Sequence, residues 1–198
     1  MLTETIVMSN PRIEQVTDEE VRGGEIAYRL VRPVHYVAFH FWAAMGQALA
    51  SVPVNFAVAS LAAGLALGQW VFPVAAAPAF LAAMGLGMAL HLLVSIAIGL
   101  AAFWTEDTWP FAFVWTRLEM ILGGMMLPLD AFPDWLARVA KVLPMNLVVY
   151  GPAHLAMRFS WAEFGALLWH QAVWIAVLLG VVSWIFRKGA RRLHVQGG

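Results

Sequence analysis

Arg117 and Glu119 stand two positions apart in a stretch that is otherwise apolar from Phe111 to Leu129. If that stretch lies in lipid, each charge costs about 2.5–3.5 kcal/mol at mid-membrane on insertion scales. One explanation is that both face a translocation path or a bundle interior. The other is that the helix starts late and the long Arg117 side chain snorkels to the interface. Two residues apart they do not share a helix face, so each is expected to pair with a different helix rather than with the other. His91, with Ser95 one turn on, is the matching polar feature in the preceding apolar run. It suits a proton relay or, more simply, a histidine hydrogen-bonded inside a bundle. His91, Arg117 and Glu119 are therefore the candidate intramembrane polar or pathway residues, and an intramembrane lipid-modifying enzyme would draw on His91 and Glu119.

Other reactive side chains lead less far. Glu106 and Asp107 are adjacent and could act as an acid/base pair, but a solvated turn or a docking contact explains them as well. His35 and His40 fall where interfacial anchors belong, and His154 and His170 near the opposite side. No two histidines have metal-ligand spacing with a carboxylate, and nothing resembles His-Glu-x-x-His. The Gly-x-x-x-x-Gly-Lys-[Ser/Thr] phosphate loop is missing, so this chain does not hydrolyse ATP by that route. With no cysteine, thiol catalysis and Cys-ligated metals are excluded. No catalytic, cofactor-binding or metal-binding residue is expected, and no basic patch points to nucleic acid.

The elements that must position these residues follow from hydrophobicity. Of 198 residues, 62% are hydrophobic and 12% charged, about half the charge of an average soluble domain. From Pro33 through Phe103 there is no Asp, Glu, Lys or Arg. Two membrane helices of about 20 residues each explain such a run, and a soluble core does not. Ten Trp and sixteen Gly fit interfacial anchoring and close helix packing. The fold class expected is an all-α integral membrane protein with about four transmembrane helices and short amphipathic interfacial helices.

Residues 1–35 are polar and form an N-terminal segment. Thr17 with Glu20 has the form of a capping box, so a short helix is predicted from Thr17, interrupted at Gly23-Gly24. A second is predicted over Glu25 to Leu30. The transmembrane domain covers 36–186, with spans at about 41–68, 79–104, 111–129 and 164–186. The first span contains Pro53 and the small-xxx-small pair Gly64 and Gly68. Outer interfacial helices occupy 133–157. One, between Pro133 and Pro144, carries Trp135, Val139 and Val142 on one face. A second over 146–157 is broken near Gly151-Pro152. Residues 187–198 form a basic tail. Both ends are basic, and the turn at 69–78 is not. Both termini are therefore expected on the cytoplasmic side of the membrane.

Several stretches together resemble one family. Val21 to Pro33, with Arg22, Gly24, Arg29, Arg32 and Pro33, is similar to a segment of bacterial ABC-2 family transporter permeases. Phe103-Trp104-Thr105-Glu106 resembles a polar loop in them. Gly123, Gly124 and Pro128, followed by Pro133, Trp135 and Pro144, resemble a glycine–proline–tryptophan segment of that family. The tail Arg187 to Leu193, ending Gly197-Gly198, resembles their terminus. The resemblance implies the membrane subunit of an ATP-driven exporter, moving substrate by alternating access. It implies an ABC ATPase subunit as partner, a second permease copy or homologous permease, and surrounding membrane lipids. Arg22, Gly24, Arg29, Arg32 and Pro33 would be the ATPase-coupling segment. Family members carry six spans, so the chain is expected to start after the first two, with a truncated start or a partner accounting for the rest. A membrane scaffold without transport activity is the remaining alternative.

Overall fold

The computed structural model describes residues 13–30, 35–67, 77–127 and 129–196. All regular structure among them is helical. In chain order these are α1 (Ile13–Arg22), α2 (Glu25–Leu30), α3 (Tyr36–Leu67), α4 (Ala77–Leu100), α5 (Trp109–Leu122), α6 (Asp134–Val142), α7 (Pro144–Val148), α8 (Tyr150–Met157) and α9 (Trp161–Gln196). Short 3₁₀ turns follow α4 at Ala101–Phe103 and precede α6 at Leu129–Ala131.

Among the described residues, Ala77–Phe103 and Trp161–Arg191 are long and apolar enough to cross a membrane. They have 27 and 31 residues and mean hydropathies of 2.2 and 1.8. The protein is an all-α membrane protein. α4 is its centre: 61% of its most apolar window is buried, against 11% for α9. α3, α9 and α1 pack around it in one core that includes Ala44, Ala48, Leu92, Leu93, Ile96, Leu100 and Val182.

The helices align simply. Gln171 of α9 meets Ala83 of α4, and further along Gly189 of α9 lies against the Phe103 ring, so α4 and α9 run parallel. Tyr36, at the start of α3, stacks on Phe186, near the end of α9, at 5.7 Å between rings, so α3 runs the other way. One end of the bundle therefore gathers α1, the start of α3, and the ends of α4 and α9.

Several sequence expectations shift. The first described helix spans Ile13–Arg22, so Thr17 lies inside it and is no N-cap. Ile13, Thr17 and Val21 form a buried stripe at i, i+4 and i+8. A Cβ on Gly99 would lie 2.6 Å from the Thr17 Cβ, so glycine there lets α1 rest on the α4 backbone. Gly24, at φ +72°, makes the turn into α2, which spans the expected Glu25–Leu30. Pro53 lies within the 32-residue α3. Gly64 has open space where its Cβ would be, and Gly68 and most of the 69–78 turn lie outside the described residues.

The expected third span is shorter in the structure. α5 has 14 residues, about 21 Å at 1.5 Å per residue, less than the ~30 Å of hydrocarbon. It stops because Gly124 takes φ +74°. The amide of Met125 then donates back to Met120 O and that of Gly124 to Ile121 O, the pairing of a glycine-terminated helix. The expected break at Gly151-Pro152 instead falls at Val149 (φ −114°, ψ −61°), where α7 ends. Pro152 sits in the first turn of α8, where its missing N–H costs nothing. α7 is buried from end to end against its neighbours. α6 does present Trp135, Val139 and Val142 outward, at 64%, 49% and 68% exposure. The basic tail is no separate unit: α9 continues through it to Gln196.

Candidate functional site

α5 starts beside the α1 end of the bundle and climbs along α4 only as far as His91. There Gly123 approaches Met145 and Gly124 approaches Tyr150, so α7 and α8 continue in the lane that α5 leaves. α5 stands off from α4 along its first turns. A cleft of about 810 Å³ opens between α1, the second half of α4, and α5.

At the inner end of the cleft, His91 Nδ1 and Glu119 Oε1 are 3.0 Å apart. Their side chains are 15% and 3% exposed. A carboxylate this deep is tolerated only with a hydrogen-bonding partner, and His91 supplies it from the neighbouring helix. Arg117, one face away, is exposed. Its guanidinium lies over the Phe113 ring at 4.8 Å, and its Nη1 is 3.5 Å from Met120 Sδ. The sequence candidates thus divide: His91 and Glu119 come together, and Arg117 lines the same cleft apart from them.

The outer part of the cleft is acidic and aromatic. Glu14, Asp18 and Glu19 come from α1, Asp107 from the loop after α4, and Trp109, Phe113 and Trp115 from α5. Asp18 accepts a hydrogen bond from Arg22 Nε at 2.9 Å, one turn away. Asp107 accepts the Trp109 backbone N–H at 2.9 Å. Among the described residues no group of three His, Asp or Glu is arranged to hold a metal ion.

Two buried polar ties were not singled out from the sequence. Glu20 Oε2 accepts the Tyr36 hydroxyl at 2.9 Å and sits 2.9 Å from His40 Nε2, so His40 is buried rather than an interfacial anchor. The signal was present: Glu20 falls on the same face of α1 as Ile13 and Thr17, and Tyr36 and His40 are one turn apart. Gln171, fully buried, donates through Nε2 to Ala83 O at 2.8 Å and Leu147 O at 2.9 Å. Its signal was an amide in the middle of an apolar run.

The remaining sequence candidates are spread out. Arg22 and Gly24 lie at the α1–α2 junction; Arg29 is in α2; Arg32, Pro33 and Pro128 lie outside the described residues. Gly123 and Gly124 end α5, Pro133 precedes α6, Trp135 faces outward, and Pro144 opens α7. His154 stacks on Tyr150 at 5.5 Å, and His170 is exposed. Compared with known families, residues 1–197 match the model described as ABC-2 family transporter protein. No curated protein and no solved structure matches.

Proposed function

The chain belongs to the ABC-2 transporter family, and from that premise we propose that it is the membrane permease of an ATP-driven exporter whose ATPase is a separate subunit. The observation that carries this reading is the cleft with the buried His91–Glu119 pair at its inner end. In the proposal it is the inward-facing part of the substrate path. Its opening lies beside α1, at the end of the bundle where exposed Arg187, Lys188 and Arg191 of α9 also lie. That basic end is the cytoplasmic one by the positive-inside rule, in an inner membrane. α3, α4 and α9 cross the bilayer, α5 enters it part way, and α6 lies in the outer interface.

The ATPase docks on α1, α2 and the segment through Arg32 and Pro33. Its closure on ATP moves α1, which is tied to the core by the Glu20–Tyr36–His40 cluster and by contact with Gly99. Displacing α1 changes the width of the cleft, because α1 forms one of its walls. His91 and Glu119 give that wall movement a polar pivot, and this chain performs no covalent step. The permease works with a second copy or a homologous permease in lipid.

Detergent pull-down of the tagged chain, followed by mass spectrometry, tests the proposal. Recovery of a P-loop ATPase, with ATP hydrolysis that responds to substitution of Arg22 and Glu20, is the expected result. An ATPase-free preparation overturns it. A second reading as an intramembrane lipid-modifying enzyme draws on the 3.0 Å His91–Glu119 pair as a general base; lipid turnover by the chain without nucleotide would select it.

A further inference from the structure

We propose that the cleft between α1, α4 and α5 binds lipophilic organic cations, an inference that rests on the cleft's being the substrate path. A volume of about 810 Å³ lies in the range of sites for drug-sized molecules. The charge balance favours a positive ligand. Asp18 is engaged by Arg22, and Glu119 by His91. Glu14, Glu19 and Asp107 remain on the rim, with no ion pair to another described residue, and Arg117 is turned onto Phe113. An anion entering past three carboxylates is repelled, and a cation is attracted.

The wall opposite α1 suits the apolar body of such a ligand. Trp109 and Phe113 stack on each other at 5.2 Å and present exposed rings. The same wall already carries a cation, the Arg117 guanidinium on the Phe113 face, the geometry in which an organic cation is held by a ring. Trp115 also lines the cleft. A cation with an aromatic body satisfies both features.

The test is equilibrium dialysis of tetraphenylphosphonium against the full chain in nanodiscs of zwitterionic lipid, with empty nanodiscs as blank. Saturable binding is expected, weakened about tenfold by E14Q/E19Q, and weakened also by D107N alone and by W109A/F113A. The isosteric anion tetraphenylborate should show no saturable binding. Equal binding of the anion, or an unchanged Kd in both E14Q/E19Q and D107N, overturns the inference. ATPase co-purification is scored separately on the same variants. Absence of saturable cation binding by the unsubstituted chain with the ATPase retained refutes only this inference, and saturable cation binding without a co-purifying ATPase supports it while refuting the exporter reading.

Discussion

On the side that α5, α7 and α8 share, α4 is covered between Ala79 and Leu90, its enclosed half, and lines a cleft through His91, Ser95 and Ile98, its open half. In the enclosed half Leu90 packs against Leu147 and Val148 of α7, and Ala79 and Ala83 pack with Leu155 of α8. Gln171 ties α9 to α4 and α7 there through two backbone carbonyls. The lane beside the open half is held by the His91–Glu119 pair and, next to it, the seat of α1 on Gly99, while Leu92, Leu93, Ile96 and Leu100 on its other faces pack in the main core. Both halves are similarly apolar in sequence, so hydrophobicity does not separate them. The difference comes from what occupies the lane beside α4: two short buried helices on one side of Gly124, and the half-length α5 on the other. Close backbone packing leaves a helix little room to move, whereas an unfilled lane beside it leaves such room.

The largest expected effect breaks the enclosed half. A Cβ on Gly87 would lie 2.9 Å from Val148 O and 3.1 Å from Leu147 O, both backbone atoms that cannot rotate away. Gly87→Leu should destabilise by about 3 kcal/mol, read as a drop in thermal midpoint in detergent by Trp fluorescence. Gly85→Leu, two residues away with open space at its Cβ, should change little. Equal effects of the two would show that α7 is not seated on Gly87.

Glu119→Ala probes the open half. It leaves His91 without its carboxylate partner deep in the protein, at a cost of about 2 kcal/mol. Measured by the same unfolding assay, the loss should be smaller than that of Gly87→Leu, because solvent in the cleft can reach His91. A loss equal to or above that of Gly87→Leu would mean the cleft is closed. Gln171→Leu sharpens the contrast further. It removes two donated hydrogen bonds, but also removes the Gln171 Oε1, a buried acceptor with no partner among the described residues. The two effects offset in part, and a net loss of about 1 kcal/mol is expected. A larger drop would assign the enclosed half's cohesion to that amide rather than to backbone packing.

The helical membrane fold was legible because an uncharged run from Pro33 to Phe103 has no soluble explanation. His91 and Glu119 were legible as costly polar groups, though not as a pair. The length of α5 was not legible, since the apolar run continues to Leu129 and only the backbone conformation of Gly124 ends the helix. Thr17 misled because its spacing to Glu20 fits a cap, while its methyl-bearing face was needed against Gly99. Gln171 gave too little signal alone: a single amide in an apolar run does not name the two carbonyls it bridges. Burial and pairing between distant elements decide these cases, and neither is written locally.

Arg117 is the smallest and most discriminating case. By sequence it stands level with Glu119, as an equally costly charge in the same apolar stretch. In the structure it is exposed, held by a ring face at 4.8 Å and a thioether at 3.5 Å. Exposed cation–ring contacts contribute about 0.5–1 kcal/mol. Arg117→Ala should therefore cost under about 1 kcal/mol of stability, less than half the effect of Glu119→Ala in the same unfolding assay. That inequality separates two arrangements. If α5 borders an open cleft, the guanidinium is solvated and its loss is minor. If a second chain covers that side of α5, Arg117 is buried against it, and removing the charge leaves a partner carboxylate or carbonyl unsatisfied. Arg117→Ala would then cost as much as Glu119→Ala, and the open half of α4 would be open only in the isolated chain.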